Sequence, residues 1–260
     1  MSYCRRTTKA GPIIDVLEYH SGRYGAPGQK REKRRKATPE EMARANQRNK
    51  EKRTWLKIMA NFKDGDYYLT LTYAPDKKPK DIEEAKTDFS KYVRKIKAKY
   101  RKSGEDLKWI RNIEKGSKGG WHIHVIMNAP DKNRDEMHEY IQRVWQALHG
   151  RAWCERMNRL IKPEDGPFRK LAEYISKSGG MKPKEGSTPK ETSFSASRNL
   201  IIPVTKTEKR PYRTWRKRPR APKGYHVMEG TLKQFSNPLT GCPYRKYILV
   251  KDDYTFSMRC

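Results

Sequence analysis

Two strand-like runs joined by a short glycine-containing loop constrain the fold of this chain more than any other feature. Residues 107–114 and 121–128 both carry aromatic and β-branched residues, and the loop 115–120 between them contains three glycines. Strand-forming runs joined by such a loop fold back on one another as a hairpin. We therefore expect an antiparallel sheet with this hairpin at its centre.

The second run places two histidines on one face of its strand. Side chains alternate between the two faces, so His122 and His124 point to one side and Ile123 and Val125 to the other. The histidines then stand roughly 6–7 Å apart along the strand, a spacing at which two imidazoles can converge on one divalent ion. The alternative interpretation is a half-buried strand whose polar face happens to carry histidine.

Periodicity along the rest of the chain predicts helices that alternate with strands. Thr38-Pro39-Glu40-Glu41 forms a capping box with proline at the first helical position, and Asp81 is a candidate cap for the next helix. The order of elements around a tight hairpin predicts an α+β domain on a mainly antiparallel sheet. Beyond the hairpin, the predicted helices span 38–62, 81–102, 131–149 and 163–178, and the predicted strands span 67–73 and 244–250.

Three further polar positions are candidates for a shared site. Glu114 ends the first strand of the hairpin, where its carboxylate could join the histidines in a mixed nitrogen and oxygen set open to Mn²⁺ or Mg²⁺. It could equally be a solvated residue before a turn. Thr70 and Thr72 alternate with leucines on the strand 67–73, so their hydroxyls either face a substrate or are purely structural.

The helix around residue 174 carries a tyrosine outside its apolar face. At 100° per residue, Tyr174 lies beyond the edge of the apolar stripe and Lys177 lies one turn further on. A tyrosine placed beside the stripe, not within it, can direct its hydroxyl into a site. The stripe is formed by Phe168, Leu171, Ala172 and Ile175.

The charge balance favours a polyanionic partner. The chain has 60 Lys+Arg against 30 Asp+Glu, a formal net charge of +30, and its segment 198–223 interleaves ten Lys/Arg with Tyr212 and Trp215. This composition indicates nucleic acid, held by backbone contacts and base stacking, although a solvated basic loop explains the segment equally well. The residues expected to contact nucleic acid are Thr70, Thr72, Arg198, Arg213, Trp215 and Arg216.

A membrane is the weaker partner. The chain has no run of about 18 apolar residues and its N-terminus lacks the apolar core of a signal peptide. Its four widely separated cysteines include no Cys-x-x-Cys pair, which argues against a zinc ribbon and a disulfide framework. We therefore expect a cytoplasmic protein.

Three segments in order resemble motifs 1, 2 and 3 of the HUH endonucleases. They are residues 68–73, then Glu114 with the run 121–127, then Tyr174-Ile-Ser-Lys177. More narrowly, they resemble the rolling-circle replication initiators, or Rep proteins, of phages and small plasmids. The matching region covers about residues 65–180, and residues 195–200 and 243–247 are more weakly similar to replication-associated proteins from Gram-positive hosts.

The resemblance implies a fold and a reaction. The fold is an HUH-endonuclease or RRM-like, five-stranded antiparallel sheet with flanking helices, with Mn²⁺ or Mg²⁺ held by His122, His124 and Glu114. Tyr174 would attack the scissile phosphate, keep a 5′-phosphotyrosine link and release a 3′-hydroxyl. Lys177 would favour the phenolate or stabilise charge on the phosphate.

The implied organisation is a basic flexible N-terminal arm over 1–37, a nickase domain over 38–180, and a basic C-terminal extension over 181–260 packed on or extending that domain. The implied partners are single-stranded or hairpin origin DNA and a DNA polymerase. The chain has no phosphate-binding P-loop sequence, so a separate host helicase would be needed. Motif 3 offers one tyrosine, so resealing needs a second protomer in a dimer, a distant tyrosine or a hydrolytic ending.

Other functions stay open at this point. Mobilisation relaxases usually place the tyrosine before the histidine motif, and small HUH transposases share the order found here but are shorter. A non-catalytic nucleic-acid-binding protein would explain the charge and leave the ordered motifs as coincidence. A metallonuclease that uses water would explain the histidines and leave Tyr174 without a role.

Overall fold

The computed structural model describes residues 3–20, 36–116, 119–157, 167–176, 192–237 and 241–254. Over these ranges the chain forms four α-helices and two antiparallel sheets, and it divides into two compact units. The predicted α+β class, with a five-stranded antiparallel sheet and flanking helices, is confirmed. The strands are β1 (Tyr3–Ala10), β2 (Ile13–Tyr19), β3 (Tyr67–Thr72), β4 (Trp109–Lys115), β5 (Trp121–Met127), β6 (Ala152–Arg156), β7 (Thr192–Ala196), β8 (Thr205–Arg210), β9 (Tyr225–Val227), β10 (Lys233–Ser236) and β11 (Pro243–Lys251). The helices are α1 (Pro39–Asn61), α2 (Ile82–Lys102), α3 (Arg134–Leu148) and α4 (Arg169–Ser176).

The central unit contains the five-stranded sheet, in the order β6-β3-β5-β4-β7. The predicted hairpin is present as β4 and β5, which pair antiparallel with Glu114 opposite His122. The two edge strands, β6 and β7, were not predicted. Both have only five residues, and each is defined by its pairing with a longer neighbour because so short a run has little periodicity of its own.

One face of this sheet builds the core of the central unit. Leu69, Leu71, Ile123 and Val125 are fully buried there, in one hydrophobic cluster with residues of α2 and α3. The cluster residues from the two helices include Phe89, Tyr92, Ile96, Met137, Ile141 and Trp145. Because side chains alternate along a strand, the opposite face of β3, β4 and β5 is left for polar residues.

The outer unit is built from the two ends of the chain. Its sheet has the order β10-β11-β2-β1-β8, with β9 also paired to β11. The prediction of a flexible arm over residues 1–37 is therefore wrong for residues 3–20, which form β1 and β2 between β8 and β11. Sequence patterns missed this sheet because the strands that complete it lie about two hundred residues further along the chain.

The segment 181–260 is likewise not an extension of the central domain as a whole. From residue 201 onward it belongs to the outer unit, together with residues 1–60, whereas residues 192–200 belong to the central unit. Most of the basic run 30–36 lies outside the described residues.

Helix α1 begins at the predicted capping box. The Thr38 N–H donates to the Glu41 carboxylate at 2.9 Å, and the Glu41 N–H donates to the Thr38 hydroxyl at 3.2 Å. Further along, Trp55 is buried and Lys52 pairs with Asp15 of β2 at 2.6 Å, which ties the helix to the sheet of the outer unit. Among the described helices, none is long and apolar enough to cross a membrane.

The turn between β1 and β2 requires glycine. Gly11 has φ +55°, and a Cβ there would lie 2.1 Å from the carbonyl oxygen of Met59. Gly224, in the same unit, has φ +78°, and a Cβ added there would have no atom within 4 Å. We expect Gly224→Ala to lower the free energy of unfolding by about 1–2 kcal/mol, since both sites are left-handed.

Gly11→Ala should cost about 1–3 kcal/mol more than Gly224→Ala, because backbone atoms must move to admit the methyl group. Urea denaturation followed by circular dichroism measures both losses. Equal losses would show that the β1–β2 turn does not pack against α1 as described.

Candidate functional site

The polar face of the central sheet brings the motif residues together. Strand β5 lies between β3 and β4, and its His124 pairs with Thr70 on β3. Two residues earlier on the same face, His122 pairs with Glu114 on β4. The apolar residues between them point into the core, so the position of these polar side chains is set by a rigid, packed sheet.

His124 is the centre of the hydrogen-bonded group. Its Nε2 lies 3.3 Å from Glu114 Oε1 and 3.2 Å from the hydroxyl of Tyr174. Its Nδ1 lies 3.1 Å from the hydroxyl of Tyr68 and 3.3 Å from that of Thr70. Its side chain is only 7% exposed, so both ring nitrogens depend on these four neighbours for partners.

Aromatic contacts orient the same imidazole. The Tyr68 ring lies parallel to it at 3°, with centroids 6.2 Å apart, and the Tyr174 ring meets it edge-on at 76° and 4.9 Å. A neutral imidazole has one donor nitrogen and one acceptor nitrogen. When Nδ1 donates to either hydroxyl, Nε2 presents its lone pair towards Glu114 and Tyr174.

Tyr174 reaches His124 from α4. The apolar stripe of that helix is buried at Leu171, Ala172 and Ile175, whereas Tyr174 is 43% exposed, as its position beside the stripe predicts. Burial of its hydroxyl is the main cause that raises the pKa of Tyr174, and the negative charge of Glu114 raises it further. A hydrogen bond with Tyr68 opposes both effects. The phenol is therefore protonated at neutral pH in this environment.

His122 lies under the hairpin loop. A Cβ on Gly116 would approach its Nε2 to 2.8 Å, and one on Gly120 would approach it to 3.9 Å. Glycine at these positions therefore leaves room for the imidazole on the site face. The loop needs glycine here for space, since Gly116 does not have the left-handed backbone that favours glycine.

The chemistry of this group fits a divalent metal ion, although the group is not a closed metal site. Among the described residues, no three His, Cys, Asp or Glu side chains are grouped so that they could hold a metal. Two of the expected ligands, His124 and Glu114, are in direct contact, and the third, His122, shares their face. One imidazole nitrogen and one carboxylate oxygen suit Mn²⁺ or Mg²⁺. The hydroxyls on Nδ1 are the kind of outer contact that orients metal-binding histidines.

The other candidate residues are divided between the units. Thr70 contacts His124, whereas the Thr72 hydroxyl donates to the carbonyl of Arg151 at 3.3 Å. Arg198 is exposed in the central unit. Arg213, Trp215 and Arg216 belong to the outer unit, and Lys177 lies outside the described residues.

Tyr68 is the residue of the site that sequence reasoning missed. The alternation that singled out Thr70 also places the residue two positions earlier on the same face. The signal was present, but a tyrosine next to Leu69 resembles a core residue by composition.

The electrostatic coupling between Glu114 and Tyr174 can be measured directly. Because the carboxylate disfavours the phenolate, Glu114→Gln should lower the pKa of Tyr174. A pH titration of ¹³C-tyrosine-labelled protein by NMR, with the signal assigned by Tyr174→Phe, measures the shift. Glu173→Gln is the control and should leave this pKa unchanged. A pKa that stays the same or rises in Glu114→Gln would contradict the described geometry.

Comparison with known proteins agrees with the location of this site. Residues 66–179 match a family model described as replication-associated protein ORF2. No curated protein and no solved structure matches the chain. The matched segment, under half of the chain, runs from β3 through the hairpin to α4 and so contains Tyr68, Glu114, both histidines and Tyr174. The match supports a role in replication initiation.

Proposed function

We propose that this protein is a rolling-circle replication initiator of the HUH endonuclease type, which nicks one strand of origin DNA through Tyr174. The observation that carries the proposal is the distance of 3.2 Å between the Tyr174 hydroxyl and His124 Nε2, with Glu114 on the same nitrogen. A core tyrosine has no reason to meet an imidazole and a carboxylate at the solvent edge of a sheet, whereas a nucleophile does.

The proposed reaction is a transesterification. The Tyr174 oxygen forms a bond to phosphorus, the bond from phosphorus to the 3′ oxygen breaks, and that oxygen leaves as a 3′-hydroxyl after taking a proton. The phenol proton is released to solvent, to which Tyr174 is partly open. The 5′-phosphotyrosine conserves the energy of the phosphodiester, so the reverse attack by a 3′-hydroxyl rejoins strands.

The electrostatics of the site explain why the nucleophile needs a cation. Burial and Glu114 both raise the pKa of Tyr174, so the phenol is unreactive when alone. Mn²⁺ or Mg²⁺ held by Glu114, His124 and His122 would supply positive charge beside the phosphate and the phenol. Tyr68 would stabilise the phenolate through its hydrogen bond, and Lys177 is proposed to act on the same charge.

The proposed partners follow from the reaction. Origin DNA would be engaged as a single strand or hairpin, because the attacked phosphate must reach an open sheet face. A separate, host-supplied helicase would unwind the duplex, and a DNA polymerase would extend the 3′-hydroxyl. Motif 3 provides one tyrosine, so resealing would use a second protomer, a tyrosine elsewhere or hydrolysis.

Covalent capture tests the nucleophile. Wild-type protein incubated with single-stranded origin oligonucleotides and Mn²⁺ should give a protein–DNA adduct that survives SDS. Tyr174→Phe should give none, because the attacking oxygen is gone, while Tyr140→Phe on α3 should behave as wild type. Cleavage without an adduct would favour a hydrolytic metallonuclease, and no cleavage on any strand would favour a non-catalytic binding protein.

The histidines should be needed for cleavage and not for binding. We expect His122→Ala combined with His124→Ala to abolish the adduct, a loss of at least about a hundredfold in rate. Affinity for single-stranded DNA, measured by fluorescence anisotropy, should stay within a few-fold of wild type, since basic residues elsewhere supply it. A parallel collapse of binding and cleavage would show that the histidines only hold the sheet together.

A further inference from the structure

The outer unit contains a large basic groove on one face of its sheet. The groove has a volume of about 1130 Å³, larger than the usual small-molecule pocket of about 300–1,000 Å³. Its floor is formed by side chains of β1, β2, β8 and β11, and one wall by the segment 211–222. Every residue that lines it belongs to the outer unit, so the groove is a feature of that unit alone.

The groove carries far more positive charge than it neutralises. Eight of the twenty lining residues are Lys or Arg, and none of the described lining residues is Asp or Glu. The buried carboxylate of Glu18 pairs with two of the eight, Arg5 and Arg245, and the exposed Glu208 pairs with Arg210. Within the described ranges, the other five form no ion pair. They are Lys9, Lys206, Arg213, Arg216 and Arg220.

The groove is held open by buried contacts. Arg245 is 1% exposed, with its guanidinium bound to Glu18 below and to the carbonyl oxygen of Arg216 in the wall segment. That guanidinium also lies 5.5 Å from the ring of Trp215, which in turn packs edge-on against Tyr3 at 5.8 Å. Trp215 therefore anchors the wall to the floor, and is itself engaged in this packing.

Apolar and aromatic groups accompany the charge. Val16, Tyr247 and Leu249 form a small hydrophobic cluster on the floor, and Tyr212, which is 61% exposed, stands in the wall segment. A duplex presents its phosphates outward and needs only the cations. A single strand also exposes base faces, which stack on aromatic side chains in positively charged grooves.

We propose that this groove is a second DNA site, which binds a single-stranded segment through cation contacts to phosphates and stacking of a base on Tyr212. The choice of DNA over RNA rests on the proposed function in replication, whereas the groove itself rests only on the outer unit. Its role is to hold a strand without cutting it, since neither the histidines nor Tyr174 belong to this unit.

Anisotropy with labelled oligothymidylate measures this site in the full chain. Arg213→Gln, Arg216→Gln and Arg220→Gln combined should weaken binding at least about tenfold and reduce the slope of log affinity against log salt by about two, at about 0.7 per lost phosphate contact. Tyr212→Ala should weaken binding about tenfold through lost stacking, with little change in the salt slope.

A matched control separates the groove from overall charge. Arg44→Gln, Arg48→Gln and Arg53→Gln combined remove the same charge from exposed positions on α1 in the same unit, and should change affinity less than threefold. Equal losses in the two triple variants would overturn the proposal. So would equal affinity for a duplex, and tighter binding of oligouridylate would reassign the groove to RNA.

The two proposals fail separately. Groove variants should still form the covalent adduct at saturating oligonucleotide, and Tyr174→Phe should still bind oligothymidylate with the wild-type salt slope. Absence of the adduct in wild type would reject the nicking function and leave the groove intact. Unchanged binding in the groove variants and in Tyr212→Ala would reject the groove alone.

Discussion

The register of β5 between β3 and β4 is the constraint on which the site depends. With Thr70 opposite His124 and Glu114 opposite His122, every polar side chain of the group falls on one face of the sheet and every core residue on the other. A slip of one residue would send the histidines into the core and Ile123 and Val125 to the surface. The packing against α2 and α3 that forbids this slip is therefore what positions the chemistry.

On that fixed face, His124 links groups of opposing electrostatic effect. Glu114 and burial raise the pKa of Tyr174, while Tyr68 lowers it by hydrogen bonding. The phenol is thereby kept protonated until positive charge arrives beside Glu114. Such an arrangement suits a nucleophile that must stay unreactive when no substrate and no cation are present.

The outer unit solves a different electrostatic problem with one buried carboxylate. Glu18 holds Arg5 and Arg245 in place, so two like charges can share a sheet face that would otherwise repel them. The remaining cations of the groove are left available for phosphates. Part of the net charge of +30 is thus organised in a folded surface built from both ends of the chain.

Local patterns in the sequence determined much of the central unit. Alternation placed His122 and His124 on one face, helical periodicity set Tyr174 beside an apolar stripe, and the capping box at Thr38 began α1, because each depends on neighbours within a few residues. Only the tertiary structure decided the rest: the pairing of β1 with β8, the contact of Tyr68 with His124, and the burial of Arg245 on Glu18. These depend on segments up to about two hundred residues apart, and no local period records which distant strands will share a sheet.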